Sequence, residues 1–529
     1  MANYDYGMLQ NGSDIRGVAL PGVRGEDVNI TPEVTSRIAK GFLYSLTLST
    51  GKSPADIRIA LGRDSRLSGS EILNNFCEAL LLYGVCIFDC GLASTPAMFM
   101  STVFPDYLAD GAVMITASHL PWNRNGFKFF TKNGGFDKGD ITDILNFAES
   151  TQIISGLSAA STPGNKGKRI AAPLMRTYSA NLRKIIINEI NAAYEASPRE
   201  GSHKTESKPL SGMKICVDAG NGAGGFYANE VLKPLGVDIS ASRYLDPDGR
   251  FPNHPPNPEN SEAMQSVCGA VLSGKCDLGL IFDTDVDRSS AVDENGKEIS
   301  RNAIVAMAAA LIADKYPGST VVTDSITSDR LHDYLEEVLN LRHLRYKRGY
   351  RNVINKSIEL NKKGIPSYLA IETSGHAAYK DNFFLDDGAF LATRIVIRAA
   401  LLFKQGKGIS SVLDRLSEPA ESVEIRLPIN ASDFAACAQE AIDAVLSLDG
   451  ISYSPFGIKC SVVRPNYEGV RISFCGDFSG WFLIRRSLHD PILPVNIESD
   501  TPGGVEAIKK LLKETLSRVS GVDTSLFER

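Results

Sequence analysis

Short apolar runs that stop abruptly at polar, chemistry-bearing residues recur along this chain, and they constrain its fold more than any other feature. Ala112 to Ile115 runs into Thr116-Ala117-Ser118-His119, Leu278 to Phe282 into Asp283-Thr284-Asp285-Val286-Asp287-Arg288, and Tyr368 to Ile371 into Glu372-Thr373-Ser374-Gly375-His376. Each run has the length of a buried strand, and open α/β sheets place ligands at the carboxyl ends of their strands. Ile57 to Leu61 entering Gly62-Arg63-Asp64-Ser65-Arg66, and Met213 to Asp218 entering Ala219-Gly220-Asn221-Gly222-Ala223-Gly224, follow the same grammar. Helical spacing at Ile72, Leu73, Phe76, Leu80 and Leu81 falls between such strands, as does a helix start at Thr95-Pro96. Alternating strand and helix predict parallel sheets with crossover helices, in repeated α/β domains.

After Pro419 the pattern changes. Amphipathic Phe434 to Leu446, strand-like Ile458 to Val463 and Val470 to Phe474, and a final helix from about Pro502 to Val519 read as a small α+β domain. The Ser-, Gly- and Lys-rich stretches Ser158 to Lys168 and Ser197 to Gly212 read as insertions or linkers.

Composition narrows the partners. A net charge of -6 with no long Lys/Arg block argues against nucleic acid and anionic membranes and favours small-molecule chemistry. Nine cysteines without CxxC pairing, several in or beside apolar runs, suggest reduced buried thiols. No stretch approaches a membrane span, and no targeting segment is visible, so a soluble protein of cytoplasm or plastid stroma is expected.

The strand ends carry the chemistry. Pro121, Asn123, Asn125 and Gly126 predict an exposed loop bearing Ser118, with Lys128 returning close by. On local grounds alone that Ser-His loop reads more readily as one satisfying its own turn, and what favours chemistry lies elsewhere in the chain. Asp283, Asp285 and Asp287 alternate, so an extended loop would aim three carboxylates one way; such convergence suits Mg²⁺, while an acidic surface turn is the alternative. Glu372, Ser374 and His376 alternate too, beside Gly375, and suit sugar hydroxyls as well as an ordinary polar loop. Arg485-Arg486-Ser487 offers guanidinium forks and a hydroxyl for a phosphate, or a solvated basic turn.

Taken in order, these stretches resemble the α-D-phosphohexomutase superfamily of phosphoglucomutases, phosphomannomutases and phosphoglucosamine mutases. Thr116 to His119, Asp283 to Arg288 and Glu372 to His376 are the main markers. Arg16, Gly62 to Arg66, Thr95-Pro96, Phe251 to Asn260 and Arg351 support them. The resemblance implies three related mixed α/β domains plus a C-terminal α+β domain of the TATA-binding-protein type around a central cleft, here expected at 1–200, 201–302, 303–419 and 420–529. It implies a phosphoserine at Ser118, which with Asp283, Asp285 and Asp287 would hold Mg²⁺, and contacts from His119 and Arg288 to the serine phosphate. Arg16, Lys128 and His376 would serve electrostatic or acid/base roles, Glu372 and Ser374 would hold sugar hydroxyls, and Arg351, Arg485, Ser487 and His489 would lie around the non-reacting phosphate. The implied substrates are sugar phosphates, with a hexose 1,6-bisphosphate as activator or intermediate, handled by a monomer or homodimer.

Two departures stand out. Leu120 replaces the Asn usual after the family's Ser-His pair, and Leu488, His489 and Asp490 fill the Gly, Thr and Glu positions of the family's phosphate loop. Loss of that glycine restricts backbone approach to phosphate. Besides 1,6-mutase activity, most readily on a glucose phosphate, the sequence therefore admits a glucose 1,6-bisphosphate synthase using a donor such as fructose 1,6-bisphosphate, and a non-catalytic sugar-phosphate sensor.

Overall fold

A computed structural model describes residues 5–153, 166–195, 206–453, 457–487 and 490–528. Most of the two stretches read as linkers lies outside these residues. The chain forms two compact units. One holds residues to 312 with 368–370 and 374–414, and the other holds 313–367, 371–373 and 415 onward.

The first unit is built on a mixed sheet. Arg58–Arg63 pairs in parallel with Cys86–Leu92 on one side and with Gly111–Ile115 on the other. Gly111–Ile115 then pairs antiparallel with Arg124–Thr131, which pairs antiparallel with Asp14–Val18. This order brings the ends of the strands carrying Asp64 and Ser118 side by side, with Lys128 returning opposite Met114. Phe42, Phe76, Phe127 and Phe129 fill the core beneath. The helix Pro32–Thr50 starts with Thr31 capping Val34 N at 3.2 Å and stops at Gly51, whose φ of 68° a side chain would oppose.

A four-stranded sheet follows in the same unit. Ile215–Asp218 and Leu278–Phe282 are parallel, and Ser289–Val292 returns antiparallel. The turn after Asp218 passes so close to the acidic loop that a Cβ on Gly222 would lie 2.7 Å from the Thr284 carbonyl oxygen.

In the second unit Thr320–Asp324 and Arg342–Tyr346 are parallel. The C-terminal part is a six-stranded antiparallel sheet from Glu421–Pro428 to Ile492–Ser499, its apolar face packed by the helices Phe434–Leu446 and Gly504–Leu516. The mixed α/β sheets and β-rich C-terminal domain match the fold class expected. All nine cysteines are free thiols, most of them buried. Burial pushes the Cys77, Cys90 and Cys216 thiols up to about 12. No helix among the described residues is long and apolar enough to cross a membrane.

Candidate active site

Ser118 is not exposed, as its loop composition suggests, but only 8% accessible. The reason is long-range: its Oγ lies 3.2 Å from Asp283 Oδ2 and 3.5 Å from Arg288 Nη2, both delivered by the second sheet. His119 Nδ1 stands 3.4 Å from the same hydroxyl. Ser118 adopts φ 49°, a left-handed conformation that costs a side chain energy and needs support from its surroundings. Thr116 Oγ1 supplies part of it, accepting from Ser118 N at 2.9 Å and donating to Asp64 Oδ2 at 2.7 Å.

The three aspartates converge, though not by extended alternation. The loop turns at Val286, with φ 67°, and this left-handed step brings one oxygen from each carboxylate within 4.8 Å of the others. All three are buried, and Asp285 Oδ1 and Asp287 Oδ1 have no hydrogen-bond partner. Burial, then the neighbouring Asp287 and Asp285 charges, push the Asp283 carboxyl well above the usual range. Burial acts the same way on Asp287, but Lys128, His376 and Arg288 outweigh it and hold that carboxyl far below normal. Lys128 Nζ donates to Asp285 Oδ2 at 3.0 Å and to Asp287 Oδ2. Orphaned buried oxygens in an all-carboxylate donor set fit a hard divalent cation such as Mg²⁺.

Arg288 ties this loop to its surroundings. Its Nε donates to Asp283 Oδ2 at 3.2 Å and its Nη1 to Asn257 Oδ1 at 3.1 Å. His376 pairs with Arg288 through a backbone bridge, and its Nδ1 bonds to Asp386 Oδ2. Burial opposes protonation there, yet the Asp386 and Asp287 charges raise His376 to about 9. His119 goes the other way, lowered to about 3 by burial and by the charges of Arg288 and Arg16. Arg16 pairs with Asp14 at 2.6 Å and donates to the Thr116 carbonyl. Ser374 Oγ is buried without a partner.

The remaining candidates belong to the second unit. Glu372 Oε1 accepts from Gly349 N at 2.6 Å, directly before the helix that begins with Tyr350 and Arg351. Arg485 is lowered by burial and then by the Arg348 charge, and its Nε is buried without a partner. Ser487 Oγ accepts from Asp490 N at 3.1 Å. His489 lies outside the described residues. Ser325 Oγ donates to Glu468, and Arg348 N donates to the same carboxylate at 3.2 Å, a grouping that no motif announced. Asp386 was equally unforeseen, since nothing in its local spacing points to His376.

Models of one protein family match most of the chain in order: "Phosphoglucomutase/phosphomannomutase, alpha/beta/alpha domain I" over residues 8–152, domain II over 194–296, and domain III over 300–419. The chain is 26% identical over 464 residues to a phosphoglucomutase of Neisseria gonorrhoeae, covering 87% of this chain and 88% of that one. It is 26% identical over 470 residues to a phosphomannomutase/phosphoglucomutase of Pseudomonas aeruginosa, covering 88% of each. A crystal structure of a phosphoglucomutase/phosphomannomutase family protein from Burkholderia thailandensis superposes with a TM-score of 0.73 over 96% of both chains at 24% identity.

Proposed function

This chain belongs to the α-D-phosphohexomutase superfamily, and we propose on that premise that it is a hexose phosphate mutase, moving a phosphoryl group between the 1- and 6-positions of a hexose phosphate through a phosphoserine at Ser118. The observation that carries this reading is the meeting of a buried serine hydroxyl with Asp283 at 3.2 Å and Arg288 at 3.5 Å beside two further carboxylates. Phosphoryl transfer depends chiefly on positioning and on neutralising charge, and the site is furnished for both.

Asp283, Asp285 and Asp287 would hold Mg²⁺, with an oxygen on Ser118 as a further ligand. When bound there, the cation supplies positive charge to the oxygens of the moving phosphoryl group. Arg288 faces the same oxygens and remains anchored by Asp283. During transfer the bond from Ser118 Oγ to phosphorus breaks as a sugar hydroxyl oxygen bonds to phosphorus, and the hydroxyl proton ends on Ser118 Oγ. Reversal at the other sugar position, through a hexose 1,6-bisphosphate, returns phosphate to Ser118. His376, a cation near neutral pH, supports charge on the reacting oxygens, with Arg16 and Lys128 as further cations. By the family resemblance alone, Glu372 and Ser374 would hold sugar hydroxyls, and Arg351, Arg485, Ser487 and His489 would attend the non-reacting phosphate.

The test is conversion of glucose 1-phosphate and mannose 1-phosphate to their 6-phosphates with and without glucose 1,6-bisphosphate, alongside the mass of Ser118 peptides. Mutase activity stimulated by the bisphosphate, with phosphate on Ser118 and none in S118A, is expected. Net release of bisphosphate from fructose 1,6-bisphosphate without isomerisation would favour a synthase, and phosphate never reaching Ser118 a sensor.

A further inference from the structure

Arg66 is buried, at 1% accessibility, beside the serine loop. A guanidinium has five N–H donors, and here each finds an acceptor. Nε donates to Asp64 Oδ2 at 3.2 Å, Nη1 to the carbonyls of Pro121 at 2.7 Å and Arg124 at 3.0 Å, and Nη2 to the carbonyls of Leu120 at 2.6 Å and Ser118. Four carbonyl oxygens of one loop thus converge on a single side chain. Asp64 completes the arrangement, accepting from Arg66 N at 2.9 Å and from Thr116 Oγ1, which in turn accepts from Ser118 N.

We infer that Arg66, braced by Asp64 and Thr116, is the positioning residue that holds Ser118 in its left-handed conformation with its hydroxyl aimed at Asp283 and Arg288. With all five donors committed to Asp64 and the loop, none remains for a substrate, so Arg66 acts through Ser118 and not on the sugar. The loop needs such a clamp because Ser118 at φ 49° is strained and its sequence, with no glycine between Thr116 and Asn125, offers no residue that takes this conformation freely. The clamp is also covered. The Phe251 ring lies 5.3 Å from the guanidinium carbon, and Gly249 approaches so closely that a Cβ there would meet the Ser65 carbonyl oxygen at 2.4 Å and Arg66 Cα at 2.7 Å. Lysine could not substitute, since its ammonium has three donors and no planar fork.

This inference rests on Ser118 as the phosphate carrier, and its test keeps the two apart. The full chain is compared with Arg66→Lys and Thr116→Val, the second removing the brace without a buried charge. Rates are expressed per folded molecule, alongside amide hydrogen exchange resolved by segment. For both variants kcat falls about a hundredfold while KM changes less than about threefold, the signature of a misplaced reacting group and not of lost binding. Phosphorylation of Ser118 by glucose 1,6-bisphosphate slows in parallel, and amides of residues 117–124 exchange faster while those of the Phe42 core do not. Unchanged kcat and loop exchange in both variants would overturn the inference, as would exchange rising equally throughout the first unit. If the unsubstituted protein never takes phosphate on Ser118, the functional reading fails on its own; loop exchange then decides for the clamp when it accelerates and against it when it does not.

Discussion

Lys128 Nζ stands 3.0 Å from Asp285 Oδ2 and donates to Asp287 as well, so one buried ammonium is shared by two of the three carboxylates that would hold the cation. Lys128 arrives on the return strand of the first sheet and the aspartates on a loop of the second, so this charge balance links the two sheets of the first unit.

Removing that ammonium leaves like charges facing each other in a buried site. Lys128→Met, which keeps the chain's bulk, is expected to cost about 3–5 kcal/mol of stability in the absence of divalent cations. A cation bound among the carboxylates makes up part of the loss, so Mg²⁺ raises the melting temperature of the variant more than that of the unsubstituted protein. Thermal unfolding with Mg²⁺ and with a chelator measures both; equal Mg²⁺ shifts would show that lysine and cation do not neutralise the same carboxylates.

The strain at Ser118 predicts a difference between two ways of deleting one hydroxyl. Ser118→Ala and Ser118→Gly both remove the oxygen on which the proposed phosphoserine would form. At φ 49°, alanine keeps the left-handed cost and glycine does not. The glycine variant is therefore expected to be more stable than the alanine variant by about 1 kcal/mol. Urea denaturation of the pair measures it, and an alanine variant of equal or greater stability would count against strain at this position.

Ser118, the aspartate trio, Lys128 and Arg288 were legible in the sequence because each lies in or just after a strand, where apolar runs make the register plain. What surrounds them was not. Ser118 is buried by Asp283, 165 residues away, and no local pattern encodes a partner at that distance. The aspartates converge through a left-handed turn at Val286, a residue whose branched side chain disfavours that conformation and so gives no hint of it. Arg66 reads as one arginine in a polar turn, because its partners are backbone carbonyls, and carbonyls leave no trace in residue types. The fold class was readable from alternating strands and helices, which depends on local periodicity alone.

His254 gives the loop after Phe251 a pH dependence. Its Nε2 lies 3.1 Å from Asp218 Oδ1 and its Nδ1 3.0 Å from the Pro255 carbonyl oxygen, so both ring nitrogens face acceptors, as an imidazolium requires. Burial lowers its affinity for the proton, but the hydrogen bond and charge of Asp218 outweigh burial and raise it above its ordinary value of 6.5. The folded protein thus holds this proton more tightly than the unfolded chain. The stability it contributes is complete below about pH 6.5 and is lost as pH rises through the raised folded value. His254→Gln removes the contribution. Its deficit by urea denaturation is expected to be about 1–3 kcal/mol near pH 6 and to shrink in alkali. A deficit that is flat or grows with pH would contradict the imidazolium.

Thr95 predicts how the metal loop is tuned from outside. Its backbone N donates to the Asp285 carbonyl at 2.8 Å, and its Oγ1 donates to Asp285 Oδ2, the oxygen that Lys128 also approaches. These bonds fix the Asp285 carboxylate so that its Oδ1, buried without a partner, is the oxygen left for a cation. Thr95→Val keeps the volume and the backbone bond while deleting the hydroxyl. Once freed, the carboxylate can rotate, and groups that orient a ligand in this way are worth about 10–100-fold in metal affinity. Mg²⁺ titration followed by calorimetry is expected to show a loss in that range, with the Thr95→Val melting temperature in chelator falling by only a few degrees, because one hydrogen bond to a charged carboxylate contributes about 1.5–3 kcal/mol. An unchanged Mg²⁺ affinity would place the ligand oxygen of Asp285 beyond the influence of Thr95.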